Sequence, residues 1–530
     1  MEEPSTMSTA GDEKIGDVDV RQAGLSSSSS DRPAPTGANP DSASGSSHVD
    51  AAWKFLNDHR DIDVDGVAAI NIDALRHKID WHIVPLMFCC YTMQFLDKVI
   101  LNYAAVMGIN KDLNLQGNDF SNVATFLFVG LLCFEIPNIY FLQKVPAAKW
   151  LGFNVTFWGV ATACGAAAKN YPTLLVSRIF LGIFEATIGP SLMLISSQWY
   201  TKSEQAPRFS FWYLGLGLGQ IIGGAVSYGF QHISPGAGLA GWRIMFVVLG
   251  CLTVVFGLCT FFFLPDTPMQ ARWLSNAEKV ALLKHVSVNQ TGIDNKKFRA
   301  KEIFEALRDP QIYLLILSVV LLSVSSGVVT TYSATLIKNL GYLPKQAALM
   351  NMPSGAVSIF FTLLVGFGIR KQSHRWAWII ACIIPAIIGG ALMSFLNPKT
   401  NRSGVLAGIY LVNAVVAPLT IFYNWTVANC AGGTKRAFAA ALVSGSFSLG
   451  NIIGPQTFQA KDAPDFRPAK LAVMGTQAGC AVTTFALFMY YVWANKRRND
   501  RSKQQEEEFM SPEVWANMTD KENKQFRYTY

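Results

Sequence analysis

Residues 241–264 read GWRIMFVVLGCLTVVFGLCTFFFL, and this run contains a single charged side chain, Arg243, near its start. A helix needs about 20 mostly apolar residues to cross a bilayer, so the run predicts a membrane-spanning helix. The same pattern recurs along the chain and predicts an all-α membrane protein with twelve spans. The predicted spans are 83–107, 120–143, 149–169, 171–199, 209–231, 241–264, 310–337, 346–369, 375–396, 403–428, 437–459 and 469–494.

The order of these runs predicts two six-helix halves. A polar middle loop, 265–309, separates a first half at 71–264 from a second half at 310–494, as in carriers built from two parallel repeats. Within the N-terminal tail, 1–70, residues 1–50 are rich in Ser, Gly, Asp and Pro. Such a segment buries too little apolar surface to order itself, so a disordered tail is expected there. Residues 495–530 form a C-terminal tail.

Composition supports a membrane protein. The chain is 51% hydrophobic and 15% charged, whereas soluble proteins carry about 25% charged residues. Its net charge of +8 does not indicate a nucleic-acid partner, because membrane proteins collect Lys and Arg on their cytoplasmic loops. The nine cysteines lack the paired spacing of a zinc site, and we find no phosphate-binding glycine loop or nucleophile triad. We therefore expect no metal, no cofactor and no enzyme activity.

Basic residues predict the orientation. The middle loop and the C-terminal flank are both basic, which places them in the cytoplasm, and an even number of spans then places both termini there. The short loops add little, since their Lys and Arg residues divide almost evenly between the two sides. Within the middle loop, 276–286 and 301–307 have the pattern of short amphipathic helices.

Five charged residues lie inside the predicted spans, where each costs about 2.5–3.5 kcal/mol or more. Asp97 and Lys98 are in the first span, Glu135 in the second, and Arg178 and Glu185 in the fourth. Seven residues are nearly two helical turns, so Arg178 and Glu185 share a face about 10 Å apart along the axis. This spacing suits a small anion beside Arg178, with Glu185 free to exchange a proton.

The centres of the second-half spans offer neutral hydrogen-bonding groups instead. These are Tyr332, Asn351, Tyr423, Asn424, Ser444 and Asn451. The asymmetry is typical of a proton-driven carrier in which one half titrates and the other orients the substrate. The alternative is a set of structural salt bridges, such as Asp97 with Arg178, that fix helix register. Glu135, next to a proline, is structural or uncertain in role.

The chain resembles the major facilitator superfamily, and within it the anion:cation symporters of the fungal allantoate permease branch. The resemblance covers roughly residues 70–530. It rests on Phe95-Leu-Asp-Lys98, Phe134-Glu-Ile-Pro137, Arg178 with Glu185, Gly241-Trp-Arg243, Gly432-Gly-Thr-Lys-Arg436, Gly450-Asn-Ile-Ile-Gly-Pro-Gln-Thr457 and the tail Thr519–Tyr528.

The resemblance implies the major facilitator fold and proton-coupled uptake of an organic anion such as allantoate, nicotinate, a vitamin or a small peptide. It implies that Asp97 and Glu185 are protonation sites and that Lys98 and Arg178 contact the anion. It also implies that Asn451 lines the cavity. Lys98 departs from the arginine common in the wider family. Because lysine cannot make a planar two-pronged contact with a carboxylate, the substrate geometry of that family does not transfer.

The sequence therefore predicts a multi-pass carrier, acting as a monomer, whose partners are protons, a small organic anion and the bilayer. The resemblance implies the plasma membrane, and a vacuolar location stays open. The expected site contains Asp97 and Glu185 for proton coupling, with Lys98, Arg178, Asn451, Tyr332 and Asn424 for the substrate. Two alternatives stay open. One is efflux of a metabolite or toxin, although the fifth span lacks the Gly-Pro pair of drug antiporters. The other is a nutrient sensor that binds without transport.

Overall fold

A computed structural model describes residue 55 and residues 70–233, 238–287, 299–371, 374–504 and 518–530. Apart from Phe55, the predicted disordered tail before Ile70 lies outside these residues. Almost every described segment inside the predicted spans is α-helical, and each of the twelve predicted spans has a helix. The described part of the chain belongs to one compact unit, Val49–Tyr530.

The twelve spans, numbered in chain order, have bounds close to those predicted. They are Ile72–Met107, Asp119–Lys144, Ala147–Gly165, Tyr171–Glu185 with Ile188–Trp199, Gly215–Phe230, Gly241–Phe263, Pro310–Asn339, Pro344–Met350 with Met352–Lys371, Arg375–Phe395, Arg402–Val412 with Val416–Asn429, Gly433–Gln456 and Arg467–Gln504.

Ten of these are long and apolar enough by themselves to cross a membrane within the described residues. The other two are spans 3 and 5, which are rich in small or polar residues. In span 3 a Cβ on Gly152 or Gly159 would come within 2.7 Å of the backbone of span 6. Span 5 has 16 residues and follows a further helix, Lys202–Tyr213. Span 3 is therefore also recognised by its close packing, whereas span 5 is shorter than a full membrane crossing by itself.

Span 1 begins earlier than predicted. The residues from Ile72 onward form the first turns of the same 36-residue helix. Asn71 caps it by accepting hydrogen bonds from the backbone N–H groups of Asp73 and Ala74, which satisfies donors that the helix itself leaves free.

The middle loop forms the two short helices that the sequence predicts. The first, Asn276–Ser287, is tied to the first half, where Lys78 Nζ pairs with Glu278 at 2.9 Å. The second, Ala300–Leu307, is tied to the second half, where the Lys435 backbone N–H donates to Glu302 at 3.1 Å. Each short helix is thus attached to a different half.

We call the end of the bundle that holds the middle loop and the C-terminal residues the inner end, following the predicted orientation, and the opposite end the outer end. Direct hydrogen bonds join the two halves near the outer end. Asn102 of span 1 donates to Ser333 of span 7 at 2.8 Å, and Gln456 of span 11 donates to Asn122 of span 2 at 3.0 Å. Tyr332 adds a hydrogen bond with Ser121.

Contacts between spans 2 and 11 continue from there toward the helix centres, where Leu132 packs on Gly445. If the predicted orientation holds, a bundle joined at its outer end corresponds to an inward-facing arrangement.

Candidate functional site

Lys98 and Glu185 form an ion pair in the centre of the first half. Span 1 carries Lys98 and the first piece of span 4 ends at Glu185, and Lys98 Nζ lies 2.7 Å from Glu185 Oε1. The Glu185 side chain is fully buried, whereas 11% of the Lys98 side chain is accessible. The pair therefore lies at the boundary between the packed half and the space between the halves.

Asp97 points away from this pair. Its carboxylate accepts hydrogen bonds from Trp158 Nε1 at 2.8 Å and from Thr162 Oγ1 at 3.0 Å, both on span 3. Adjacent residues on a helix point about 100° apart, so Asp97 and Lys98 reach different neighbours, as expected. Trp158 and Thr162 were not predicted. Only their spacing of one helical turn on a predicted span could have indicated from the sequence that they act together.

Arg178 is the unusual residue of the site. It is 1% exposed, and none of its three guanidinium nitrogens donates a hydrogen bond to any residue that the structure describes. Its guanidinium lies 5.1 Å from the ring centroid of Phe246 on span 6, a cation–π contact. Asp97 and Glu185 are the carboxylates that act on its charge. No ion pair joins Arg178 to Asp97, both of which the structure describes, so the structural salt bridge considered above is not formed.

A buried cation without hydrogen-bond partners is costly, and the donors of Arg178 point to a bound anion or water molecules. The four charged residues balance, two positive against two negative. The site can therefore hold a proton on a carboxylate and an anion on the cations without leaving a net charge in the bilayer.

Aromatic side chains from both halves surround Lys98. Its ammonium lies 5.8 Å from the ring centroid of Phe128 on span 2 and 6.0 Å from that of Phe447 on span 11. On the inner side, the rings of Tyr91 and Tyr213 are 5.5 Å apart, and Tyr423 of span 10 lies beside them. These residues mark the expected position of the substrate cavity between the halves, and we call this region the central cavity.

The second-half residues predicted to bind substrate lie in different places. Tyr332 is at the outer end, where its ring stacks on Phe458 at 4.2 Å. Asn451 packs against Gly327 of span 7, and its amide donates to its own helix at Phe447 O. Asn424 is exposed, beside the cavity residue Tyr423. The structure does not bring these three together with Lys98, and their substrate roles stay predictions.

Glu135 faces the other half. Its side chain is 8% exposed and interacts with Ser444 of span 11, while its Oε2 atom has no hydrogen-bond partner among the described residues. The aromatic residues Tyr91, Phe128, Tyr213 and Phe447 were not predicted as site residues, because aromatic side chains in apolar spans are indistinguishable from packing residues by sequence.

Comparison with known proteins shows the family to which the chain belongs. Residues 87–455 match the Major Facilitator Superfamily. The chain is 37% identical to the thiamine pathway transporter THI73 of Saccharomyces cerevisiae, over 86% of each chain. It is 31% identical to the allantoate permease of the same yeast, over 91% of each chain.

Among solved structures, the inward open conformation of the xylose transporter XylE from E. coli superimposes with a TM-score of 0.60. It is 15% identical and covers 76% of this chain and 95% of the XylE chain, so it shows the fold alone. Together with the twelve spans, these matches confirm the predicted fold and a multi-pass membrane transporter in place of an enzyme. The chain belongs to the Major Facilitator Superfamily.

Proposed function

We propose that this transporter carries a small organic anion into the cell together with a proton, by alternating access across the plasma membrane. The observation that carries the proposal is the buried Lys98–Glu185 ion pair beside the guanidinium of Arg178, which lacks hydrogen-bond partners among the described residues. Allantoate, which the name of one relative gives as its cargo, is such an anion. One chain suffices, because both halves and all four charges belong to it.

The ion pair supplies the coupling. A proton on Glu185 removes the charge that holds Lys98, and Lys98 and Arg178 then both face an incoming carboxylate. When the anion leaves, Lys98 loses its partner and can pair again only with an ionised Glu185. Proton and anion are therefore taken up together and released together, because each state with one of them alone leaves an unpaired charge in a low-dielectric site.

Asp97 has a second role in the proposal. Hydrogen bonds from Trp158 and Thr162 hold Asp97 beside Arg178. There Asp97 is a further protonation site, and its negative charge compensates the guanidinium when no anion is bound. A proton there strengthens the attraction of Arg178 for an external anion. The aromatic rings of the central cavity would hold the organic part of the substrate.

The test is uptake of radiolabelled carboxylates, allantoate and nicotinate among them, into proteoliposomes with an acidic exterior. We expect accumulation of at least one anion, collapsing when a protonophore dissipates the gradient. Glu185→Gln should abolish accumulation while retaining exchange of internal for external anion, since its neutral amide mimics the protonated state. Asp465→Asn, which removes an exposed carboxylate at the outer end, is the matched control and should accumulate normally.

Normal accumulation by Glu185→Gln would contradict the role of this carboxylate. Uptake that is indifferent to the proton gradient for every anion tested would contradict symport. Accumulation only when the vesicle interior is acidic would instead favour the efflux alternative.

A further inference from the structure

The C-terminal residues 518–530 are docked on the inner end of the second half. Tyr528 is 4% exposed and stacks on Tyr491 of span 12 with ring centroids 5.0 Å apart, inside the apolar core of this half. Asn495 of span 12 donates to the Tyr528 carbonyl at 2.8 Å and accepts from its N–H at 2.9 Å. The segment is thus built into the half like an additional element of secondary structure.

A buried charge cluster fixes the start of this segment. Lys435, at the beginning of span 11, is fully buried, and its ammonium lies 2.7 Å from Asp520, 2.8 Å from Asp309 and 2.9 Å from Glu305. Asp520 also accepts a hydrogen bond from the Tyr528 hydroxyl at 2.7 Å. Spans 7 and 11 and the C-terminal segment therefore share one ammonium group.

The end of the segment holds span 10. The Thr529 N–H donates to Asn429 Oδ1 at 2.8 Å, and Asn429 Nδ2 donates to the Thr529 carbonyl at 2.9 Å. The same carbonyl accepts from Trp425 Nε1 at 2.7 Å. Asn429 and Trp425 lie on the inner piece of span 10, Val416–Asn429.

This inner piece is set apart from the rest of span 10 by a 3₁₀ turn, Asn413–Val415. Such a turn within a helix is a common hinge. Tyr423, which lines the central cavity, is on the same piece, between the hinge and the residues held by Thr529. A displacement of the piece about its hinge would move Tyr423 relative to Lys98.

We propose that residues 518–530 are positioning residues for transport: they hold the inner piece of span 10, and through it Tyr423, in place in the central cavity. Transport would then depend on docking of the C-terminal segment. This proposal rests on the proposed function only for the identity of the central cavity. When the segment undocks, the inner piece of span 10 is released and the cavity wall loses its fixed position.

A native thiol reports docking. Cys430 follows Asn429 and is fully buried in an apolar cluster with Ala306, Ile312 and Ala439, close enough to Asp520 of the segment to interact with its charge. Burial raises the pKa of the thiol to about 12. Both features suppress reaction with a hydrophilic maleimide, because the thiolate is the reactive species. Because Asn429, the neighbour of Cys430, is bonded to Thr529, undocking should loosen the packing around Cys430 and increase its reactivity.

The experiment measures maleimide labelling of the full chain by mass spectrometry, without substrate or gradient. Asn429→Leu removes the bonds to Thr529, and we expect Cys430 to label about tenfold faster or more. Thr529→Val removes only a hydroxyl and should give a smaller increase in the labelling rate of Cys430. This variant replaces Asn429→Leu in the test if Asn429→Leu does not fold. Lys524→Ala, an exposed residue of the same segment, is the matched control.

A second thiol reports the cavity. In a Tyr423→Cys background, Asn429→Leu should change the labelling rate at position 423, whereas Lys524→Ala should not. The proposal is overturned if Cys430 remains as protected in Asn429→Leu as in the parent chain, or if Cys430 is freed while position 423 labels at its original rate. Because neither readout involves transport, failure here is distinct from failure of the proton–anion mechanism.

Discussion

Arg178 makes a contact that lysine cannot reproduce. Its planar guanidinium stacks over Phe246 and presents donors that no described residue accepts. Arg178→Lys keeps the charge but loses the forked donor geometry that matches a carboxylate.

We therefore expect Arg178→Lys to raise the KM for the transported anion about tenfold, since a charge-assisted hydrogen bond is worth about 1.5–3 kcal/mol, with a smaller effect on the maximal rate. Initial uptake rates over a range of anion concentrations give both parameters. The conservative control is Lys149→Arg at the inner end of span 3, which should leave both unchanged. An unaltered KM in Arg178→Lys would show that this guanidinium does not contact the substrate.

Thr162 stabilises the fold through Asp97. Thr162→Val removes a hydrogen bond to a buried carboxylate, which should cost about 1.5–3 kcal/mol of unfolding free energy. Thr156, also on span 3, donates instead to its own helix at Gly152 O, and Thr156→Val should cost less. Thermal unfolding of the purified variants in detergent compares them directly. Equal melting temperatures would indicate that Asp97 does not need its span 3 donors.

At the residue level, the sequence identified the charged residues inside the spans but not how they pair. Intramembrane Asp, Lys, Arg and Glu are conspicuous because each is costly, so Asp97, Lys98, Arg178 and Glu185 could be selected directly. The pairing of Lys98 with Glu185 depends on how spans 1 and 4 are rotated, and that rotation is set by close packing such as Gly182 against Leu127. One sequence carries no information on those contacts.

At the scale of elements, the first helix of the middle loop, Asn276–Ser287, is held by the carboxylate of Glu278, whose ionisation can be tested. Burial of Glu278 favours its neutral form, but hydrogen bonds from Lys78 and from the backbone N–H of Ser275 outweigh that effect and lower the pKa of Glu278 below its ordinary value. A carboxyl group with a lowered pKa in the folded state stabilises that state above its unfolded pKa, and the contribution is lost as the pH falls through the folded value.

Glu278→Gln should therefore lower the melting temperature slightly at neutral pH, because the pair with Lys78 is partly exposed and such pairs contribute about 0–1 kcal/mol. The difference from the parent chain should shrink as the pH falls below the ordinary carboxyl range near 4. Melting curves of both proteins across pH 3–7 measure it. A difference that grows on acidification would mean that the pKa of Glu278 is raised and not lowered.

Element boundaries were predicted well where hydropathy changes abruptly, as at Gly241 and Pro310. The interruptions within spans were not predicted. The 3₁₀ turn in span 10, Asn413–Val415, lies within a mostly apolar run. Pro418 follows it and has no N–H to bond to the carbonyl four residues earlier, so the sequence carried a local signal that hydropathy did not use.

For the whole molecule, the polar middle loop indicated the division into two halves. The sequence does not indicate the conformational state. Both the inward- and the outward-facing states bury the same apolar faces of most spans, so hydropathy does not distinguish them. The difference lies in a few polar side chains, Asn102, Ser121 and Gln456 among them, that join the halves at the outer end. Each lies within or next to an apolar run where its partner in the other half cannot be identified from spacing.

These outer contacts make a prediction about the balance of states. Asn102 is fully buried, donates to Ser333 and accepts from the Ala334 N–H at 3.1 Å. Asn102→Ala removes both bonds, and at about 0.5–1.5 kcal/mol each this costs the state with the outer end joined about 1–3 kcal/mol. Since about 1.4 kcal/mol changes a two-state ratio tenfold, the outward-facing population should rise by about one order of magnitude.

Spin labels introduced by Lys111→Cys and Lys399→Cys, exposed positions at the outer ends of different halves, measure this shift as a distance distribution. Asn102→Ala should add or enlarge a longer-distance component, whereas Ser394→Ala, whose hydroxyl bonds only to its own helix at Gly390 O, should not. The same shift should slow the return of the empty carrier only if joining the outer end is part of the transport cycle. A single short distance in both variants would mean that the polar contacts at Asn102 follow closure of the outer end and do not hold it.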